Sequence, residues 1–435
     1  MSIKKNIKKL AFIFNILLCL LSSANAQNTI KAIKAGKLID VISGKILVKQ
    51  IILIEGDKII KIGGDISIPK DAELIDLSKA TVLPGLIDCH THLTFQPGEN
   101  YYDDMFRKTA TDYAIEATLN AKKTLDAGFT MVRDAGSDQL IDISLRNAIN
   151  NGTIPGPRML VSTFALGSTG GHVDLTGFNP NLDLKGNKDF TGVADGVDEI
   201  IKHVRNNVKW GADWIKFMAS GGVLSEEETP GLPQYSFEEM KAICDEAHRW
   251  GKKAMAHAHG TEAIKMAIKA GVSSIEHGSL IDDEGIALMK QCGVYLVADI
   301  YNDDYILSEY AKKGFPEKIL NKERTVGKLQ RENFQKAINS GVKVAFGTDA
   351  GVYPHGWNGK QLYYMVKYGL TPIQAIQAAT INAATLLSWD TKVGSISAGK
   401  LADIIAISGN PLDDILALEK ISFVMKEGEI YKKDH

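Results

Sequence analysis

The chain has 435 residues, of which 45% are hydrophobic and 23% are charged, with 40 glycines and 12 prolines. These proportions are typical of a soluble globular protein and exclude a disordered chain, a collagen-like repeat or a disulfide scaffold. The net charge is −2, from 50 basic and 52 acidic residues. The sequence therefore lacks the excess of positive charge that attracts nucleic acid, and we expect no nucleic-acid partner.

The first 26 residues form a predicted signal peptide that ends before Gln27. Four lysines within the first nine residues precede a mostly apolar run over residues 10–21, and Ala24-Asn25-Ala26 supplies a small-x-small cleavage signal. The alternative is a transmembrane anchor, which this run is too short to provide. Removing the four lysines from the 50 basic residues leaves 46 against 52 acidic residues. We therefore expect an exported protein, periplasmic or secreted, with no membrane attachment after cleavage.

Both ends of the mature chain, residues 27–83 and 391–435, are rich in short β elements. Runs of β-branched residues alternate with glycines at the N-terminal end, and Glu427-Gly428 marks a hairpin turn at the C-terminal end. We predict that the two ends together form one small β-sandwich domain. The predicted strands are Thr29–Ile33, Ile46–Ile54, Lys58–Ile62, Ala402–Ile407 and Ile421–Val424.

Residues 84–390 alternate between apolar runs and helical periods with charged faces. Several helical periods stop at a glycine just before the next apolar run, as Gly271 does, which is typical of a helix C′ residue. Eight such units predict an α/β fold, a (β/α)8 TIM barrel. The alternative is a doubly wound open sheet, which often carries a Gly-rich phosphate loop after its first strand, and the sequence has none there. The predicted strands lie within Thr81–His92, Thr130–Asp134, Met159–Phe164, Trp214–Ala219, Lys253–His259, Ser273–His277, Val294–Ile300 and Val342–Asp349.

Barrel enzymes carry their reactive groups at the C-terminal ends of the strands. The first predicted strand ends in His90 and His92, which are two residues apart and therefore face the same side. At the end of strand two, Arg133 and Asp134 suggest an internal ion pair. Strand four carries Lys216 between apolar residues, where burial would lower the pKa of the amine. A neutral amine can react with carbon dioxide to give a carbamate, although this residue taken alone favours a lysine in an internal salt bridge.

Three further strand ends carry metal-ligating residue types. Strand five ends in His257-Ala258-His259, strand six in His277 and strand eight in Asp349. Half of the ten histidines thus fall at predicted strand ends, which predicts a metal site. Imidazole and carboxylate ligands without thiolate favour zinc, with manganese, iron and cobalt as alternatives.

Two long motifs resemble those of the amidohydrolase superfamily. The segment Leu83-Pro84-Gly85-Leu86-Ile87-Asp88-Cys89-His90-Thr91-His92 is similar to its opening motif, and Gly394-Ser395-Ile396-Ser397-Ala398-Gly399-Lys400-Leu401-Ala402-Asp403 is similar to its return into the small β domain. The resemblance covers essentially the whole mature chain. The motifs around Lys216, His257, His277 and Asp349 resemble the imidazolonepropionase-like and Xaa-Pro dipeptidase (prolidase)-like branch.

The resemblance implies a centre with two divalent metal ions, with zinc favoured. It matches His90 and His92 to the ligands of the more buried ion, and His257 and His277 to those of the second ion. It matches Lys216 to a carboxylated lysine that bridges the two ions, which reverses the salt-bridge interpretation. It matches Asp349 to the aspartate that binds metal and handles protons. We assign His257 by its alignment with the strand-five histidine of relatives, and His259 is the alternative ligand.

The predicted activity is hydrolysis of a carbon–nitrogen amide bond by a metal-bridging hydroxide, with Asp349 taking a proton and passing it to the departing amine. The resemblance implies a small-molecule or dipeptide substrate, of Xaa-Pro type or an N-acyl amino acid, and a homo-oligomer. The alternatives are a cyclic amidase that resembles imidazolonepropionase and a non-catalytic assembly protein, and the full ligand set argues against the latter. His172, after strand three, and Tyr235, before the helix that follows strand four, are candidate catalytic or substrate contacts, with packing as the alternative for each.

Overall fold

The computed structural model describes residues 30–434 with the exception of 98–103, 105, 175, 177–178, 180, 182–190 and 226–228. The predicted signal peptide, residues 1–26, lies outside the described residues. Among the described helices, none combines the length and the apolar character that crossing a membrane requires.

The described residues contain fourteen strands, which fall into three sheets. In chain order the strands are β1 (Lys31–Asp40), β2 (Lys45–Glu55), β3 (Lys58–Gly63), β4 (Glu73–Pro84), β5 (Leu86–Thr91), β6 (Phe129–Asp134), β7 (Arg158–Val161), β8 (Trp214–Met218), β9 (Lys253–Ala258), β10 (Ser274–His277), β11 (Tyr295–Val297), β12 (Ile404–Ile407), β13 (Ile421–Lys426) and β14 (Glu429–Lys433).

Helices follow most of the central strands, and the longest one, α8, precedes the segment that carries Asp349. Capping boxes begin several helices, as where Ser236 and Glu239 each bond to the other's backbone N–H at the start of α4. The helices are α1 (Ala110–Asp126), α2 (Ile141–Asn150), α3 (Val197–Trp210), α4 (Phe237–Arg249), α5 (Thr261–Ala270), α6 (Asp283–Cys292), α7 (Asn302–Tyr305), α8 (Glu317–Asn339), α9 (Lys360–Lys367), α10 (Pro372–Gln377) and α11 (Ala383–Leu386). Single π-helical or 3₁₀ turns lie at Ile306–Tyr310, Ala311–Lys313, Ala378–Asn382 and Ile415–Glu419.

The two chain ends form one seven-stranded mixed sheet in the order β14-β13-β12-β4-β1-β2-β3. The chain-end segments meet where β12 pairs antiparallel with β4, so that Ile404 lies opposite Pro84. The predicted hairpin turn is confirmed, because Glu427 and Gly428 both have positive φ, at 53° and 78°, and join β13 to β14. The described strands of the chain ends thus give a single sheet, and the facing sheet of a sandwich stays a prediction.

The middle of the chain contributes two parallel sheets, β5-β6-β7 and β11-β10-β9-β8. Almost every residue of these strands is buried, as expected for parallel strands that are covered on both faces. Isolated parallel bridges connect the sheets: Leu166 pairs with Phe217, and residues 342–350 pair with β11 at Val344 and with β5 at Ala350. The arrangement is TIM-barrel-like and turns the C-terminal ends of the strands toward one side.

Candidate metal centre

The ends of three strands and the segment around Asp349 bring the predicted ligands together. Two groups of side chains offer ligand atoms that lie within 4.8 Å of one another. The first group contains His257, His259 and His277, and the second contains His90, His277 and Asp349. All of these histidines are buried, and His277 belongs to both groups.

Carboxylates fix the orientation of two of these imidazoles. His90 Nδ1 lies 2.8 Å from Glu276 Oε2, and His277 Nδ1 lies 2.8 Å from Asp299 Oδ1. In each pair the carboxylate accepts the Nδ1 proton, so the Nε2 lone pair is left for a further partner. This is the arrangement by which proteins present histidine to a metal ion.

His92 is oriented in the same way by a backbone group, since its Nδ1 lies 3.1 Å from the carbonyl oxygen of Gly136. The Nε2 atoms of His92 and His90 then lie 3.2 Å and 3.4 Å from Asp349 Oδ1. Nitrogen and oxygen ligand atoms therefore face one another with their remaining lone pairs. This set of ligand atoms fits a divalent metal ion.

Behind His90 lies a buried ionic network that the sequence did not reveal. Arg133 and Glu276 both have fully buried side chains, and Arg133 Nη2 lies 2.8 Å from Glu276 Oε1. Arg133 also donates from Nε to the carbonyl of Cys89 at 2.6 Å, and its guanidinium lies 4.6 Å from the centre of the Trp214 ring. The ion pair predicted for Arg133 is therefore present, but its partner is Glu276. Asp134 instead accepts the backbone N–H of Leu93.

Lys216 projects into the same centre. Its Nζ lies 3.4 Å from His90 Nε2, and the side chain is 1% exposed. No carboxylate of the described residues lies within ion-pair distance of this amine. Burial lowers the pKa of the Lys216 amine to about 8.

His257 and His259 both face the centre at the end of β9. His257 Nε2 lies 3.4 Å from the carbonyl of Gly221, whereas His259 Nδ1 lies 2.8 Å from Ser279 Oγ. Burial, followed by the charges of neighbouring imidazoles, holds the pKa of both histidines well below the usual 6.5. Both therefore stay neutral, as a metal ligand must, and either one can serve as the strand-five ligand.

The two remaining candidates lie in different surroundings. The ring of His172 stacks on that of His257 with centroids 4.3 Å apart, and its Nδ1 lies 2.5 Å from Ser225 Oγ. Tyr235 lies within the apolar core, and its hydroxyl donates to the carbonyl of Ala194 at 3.0 Å. The structure thus brings His172 to the centre and leaves Tyr235 outside it.

The backbone is strained at two of the predicted ligands. His277 has φ of 68° and Asp349 has φ of 55°, conformations that are costly for residues other than glycine. Hydrogen bonds hold Asp349 in place, because its N–H donates to the carbonyl of His90 at 2.8 Å and Asn302 Nδ2 lies 3.4 Å from its Oδ2. Next to it, Thr348 Oγ1 donates to the buried Asp88 at 2.6 Å. The position of the carboxylate is therefore fixed by its surroundings.

Comparison with known proteins gives consistent matches over most of the chain. A model of the amidohydrolase family matches residues 81–432. Among curated proteins, ochratoxinase of Aspergillus niger is 34% identical over 406 residues, which is 87% of this chain and 82% of that protein. Imidazolonepropionase of Treponema denticola is 26% identical over 414 residues, 87% of this chain and 91% of its own. Among solved structures, a Xaa-Pro dipeptidase with methionine bound in its active site superposes with a TM-score of 0.89 at 41% identity, covering 93% of this chain and all of the other.

Proposed function

The chain belongs to the amidohydrolase family and is a hydrolase acting on carbon–nitrogen bonds, and we propose that its substrate is a dipeptide of Xaa-Pro type or an N-acyl amino acid. The observation that carries the proposal is the convergence of His90, His277 and Asp349, with the histidines oriented by Glu276 and Asp299. The similarity to a Xaa-Pro dipeptidase with bound methionine supports a substrate that ends in an amino acid.

We propose that two divalent ions, preferably zinc, occupy the centre. His90, His92 and Asp349 would hold one ion, and His257 and His277 would hold the other, with His259 as the alternative to His257. When bound, such ions polarise a carbonyl and acidify water. The support from the structure is that each group offers imidazoles or a carboxylate rather than thiolates.

We propose that Lys216 carries a carbamate. Its neutral amine would form a nitrogen–carbon bond with carbon dioxide and release one proton, which gives an anionic oxygen ligand. The support is that this buried lysine contacts His90 Nε2 and has no carboxylate partner among the described residues. A buried ammonium without a counter-charge costs free energy, whereas the negative charge of a carbamate would be compensated by the cations that the neighbouring ligands would hold.

The proton transfers belong to Asp349. Its carboxylate takes the proton of the attacking water and delivers it to the nitrogen of the departing amine, so that amide and water become acid and amine. This role needs a carboxylate held close to the ligands, and the hydrogen bond from its own N–H to the His90 carbonyl keeps it there. We propose that His172 contacts the substrate, and the stacking of its ring on His257 supports this.

Several expectations about the whole molecule remain proposals. We propose that residues 342–350 close an eight-stranded barrel, which the bridges at Val344 and Ala350 support, and that the chain-end sheet is part of a sandwich. We also propose that the protein is exported and forms a homo-oligomer. The support for export is the signal pattern in residues 1–26.

The test is an assay of protein purified without chelator, with added zinc, on dipeptides, N-acyl amino acids and cyclic amides. We expect about two metal ions per chain and hydrolysis in the first two classes. Turnover only of cyclic amides would favour the second candidate, which the similarity to imidazolonepropionase supports. Protein that binds no metal and hydrolyses none of these compounds would refute the proposal.

A further inference from the structure

A group of oxygen atoms beside the metal centre lacks hydrogen-bond donors. Two of these atoms are the buried Oδ1 atoms of Asn302 and Asp303, in the short helix α7. The others belong to the carboxyl of Glu323 on α8, a buried residue that makes no hydrogen bond with a described residue. We call them the acceptor wall. None of the three residues is a predicted metal ligand.

Asn302 connects the acceptor wall to the centre. Its Nδ2 lies 2.5 Å from Asp299 Oδ2 and 3.4 Å from Asp349 Oδ2, which fixes the amide with its oxygen on the other side. That oxygen, Oδ1, is buried and has no hydrogen-bond partner among the described residues. Asn302 Oδ1 is therefore a hydrogen-bond acceptor without a donor in the described part of the chain, and its residue lies directly beside the carboxylate of Asp349.

Two carboxyl groups continue the acceptor wall. Asp303 uses Oδ2 for Arg331 Nη1 at 2.8 Å, but its buried Oδ1 has no partner among the described residues. Glu323 is 4% exposed, and its carboxyl makes no hydrogen bond or ion pair with any described residue. An unpartnered buried acceptor is costly, so the three together indicate a ligand that brings donors.

The position of Glu323 follows from the helix that carries it. Gln330 lies seven residues later, two turns along the same face of α8, and donates from Nε2 to Asp299 Oδ1 at 2.8 Å. Between them, a side chain at Gly327 would collide with the carboxyl of Asp303. Since helices in this fold begin on the side where strands end, Glu323, which lies one turn before Gly327 on the same helix face, is on the side of the centre and near Asp303.

The charges around the acceptor wall favour a cation. Arg331, the cation that contacts Asp303, also pairs with Asp304 at 2.8 Å, and Lys322, the chain neighbour of Glu323, donates to the carbonyls of Gly222 and Ser225. Burial, reinforced by the carboxylates of Asp303, Asp299 and Asp349, raises the pKa of Glu323 to about 8. Negative charge is therefore costly at Glu323 in the free protein, and a cationic ligand would relieve that cost.

We propose that the acceptor wall binds the protonated α-amine of the substrate, so that the preferred substrates are dipeptides with a free N-terminus rather than N-acyl amino acids. This inference rests on the proposed function and narrows its substrate class. A primary ammonium has three donors for the acceptors of Asn302, Asp303 and Glu323. It also lies two bonds from the scissile carbonyl carbon, and Asn302 is the residue that adjoins both the acceptor wall and Asp349.

The experiment compares alanyl-proline with propionyl-proline, which differ only in the ammonium group, on the zinc-loaded enzyme. If the substrate panel shows another preferred C-terminal amino acid, the same pair is made with it. We expect the wild type to have a kcat/KM at least about tenfold higher for the dipeptide. Glu323→Gln should lower kcat/KM for the dipeptide about tenfold or more. The kcat/KM for propionyl-proline should stay within about twofold of the wild-type value. The control is Glu332→Gln, an exposed position on the same helix, which should change neither.

Two results would overturn this inference and leave the proposed amidase function standing. One is an equal kcat/KM of the wild type for both compounds. The other is a kcat/KM that Glu323→Gln lowers by the same factor for both compounds. Turnover of neither compound, nor of any other amide, would overturn both. The uncharged glutamine is close in shape to protonated glutamate, so the variant should fold. If it does not, Glu323→Asp keeps the charge and should retain a preference for the dipeptide, and loss of that preference in a folded variant would count against the inference.

Discussion

Replacing Glu276 by glutamine should damage both the stability of the protein and its affinity for metal. The Glu276 carboxylate accepts from His90 Nδ1 with one oxygen and from Arg133 Nη2 with the other, both at 2.8 Å. Glutamine has a single acceptor oxygen, so its NH₂ group must face a donor on one side. Arg133 would also keep its charge in a place without solvent, with only neutral acceptors such as the Cys89 carbonyl.

The expected size of the effect follows from the burial of both side chains, neither of which is exposed. Removing one partner of such a pair leaves an uncompensated buried charge and costs about 3 to 5 kcal/mol in the free energy of unfolding. The pair formed by Lys31 and Glu429 provides a matched control, because its N–O distance is also 2.8 Å but the glutamate side chain is 72% exposed. Glu429→Gln should cost about 1 kcal/mol or less.

The assay is urea-induced unfolding of the metal-free proteins, with a zinc titration of each as the second measurement. Because Glu276 fixes the ring of His90, we expect Glu276→Gln to weaken zinc binding by about 10- to 100-fold. A loss of unfolding free energy no larger than that of Glu429→Gln would refute the energetic reasoning. Unchanged zinc affinity would show that His90 does not depend on Glu276 for its orientation.

Three further predictions concern the centre and its connection to the chain-end sheet. Lys216→Ala should abolish amide hydrolysis, and turnover equal to the wild type would exclude a carbamate bridge. Of His257→Ala and His259→Ala, we expect the first to lose more bound zinc, measured as metal per chain after purification; the opposite order would make His259 the ligand. Arg158→Met should lower the free energy of unfolding by about 3 kcal/mol, because it leaves the buried Asp403 carboxylate, 2.8 Å away, without its cation. A urea midpoint equal to that of the wild type would contradict this.

The sequence located the residues of the centre through position alone. His90, His92, His257, His277 and Asp349 each follow an apolar run, and parallel strands bring such ends to one side. The orientation of these residues had no comparable signal. Glu276 reaches His90 across 186 positions of the chain, so a pattern within one strand does not record that contact.

The same limit applies to residues that were judged by their local context. Tyr235 precedes a helix after strand four, which made it a candidate, but a hydrogen bond to Ala194, 41 positions away, takes up its hydroxyl. Glu323 lies within the helical period of α8 and looks like one of its many charged residues. Its burial follows from the packing of α7 against that helix, which no spacing in the sequence reveals.

The pairing of β12 with β4 also sets an order for folding. Residues Thr81–Pro84 acquire their second neighbouring strand from Ile404–Ile407, so the seven-stranded sheet stays incomplete until Ile407 has been synthesised. Until then the backbone groups along that side of β4 form an open edge, the kind of surface on which chains aggregate. A contact across so many residues is slow to form because of the entropy of loop closure. Growing chains and chains truncated before Ile404 therefore share the same exposed edge, which β12 covers once it has been made.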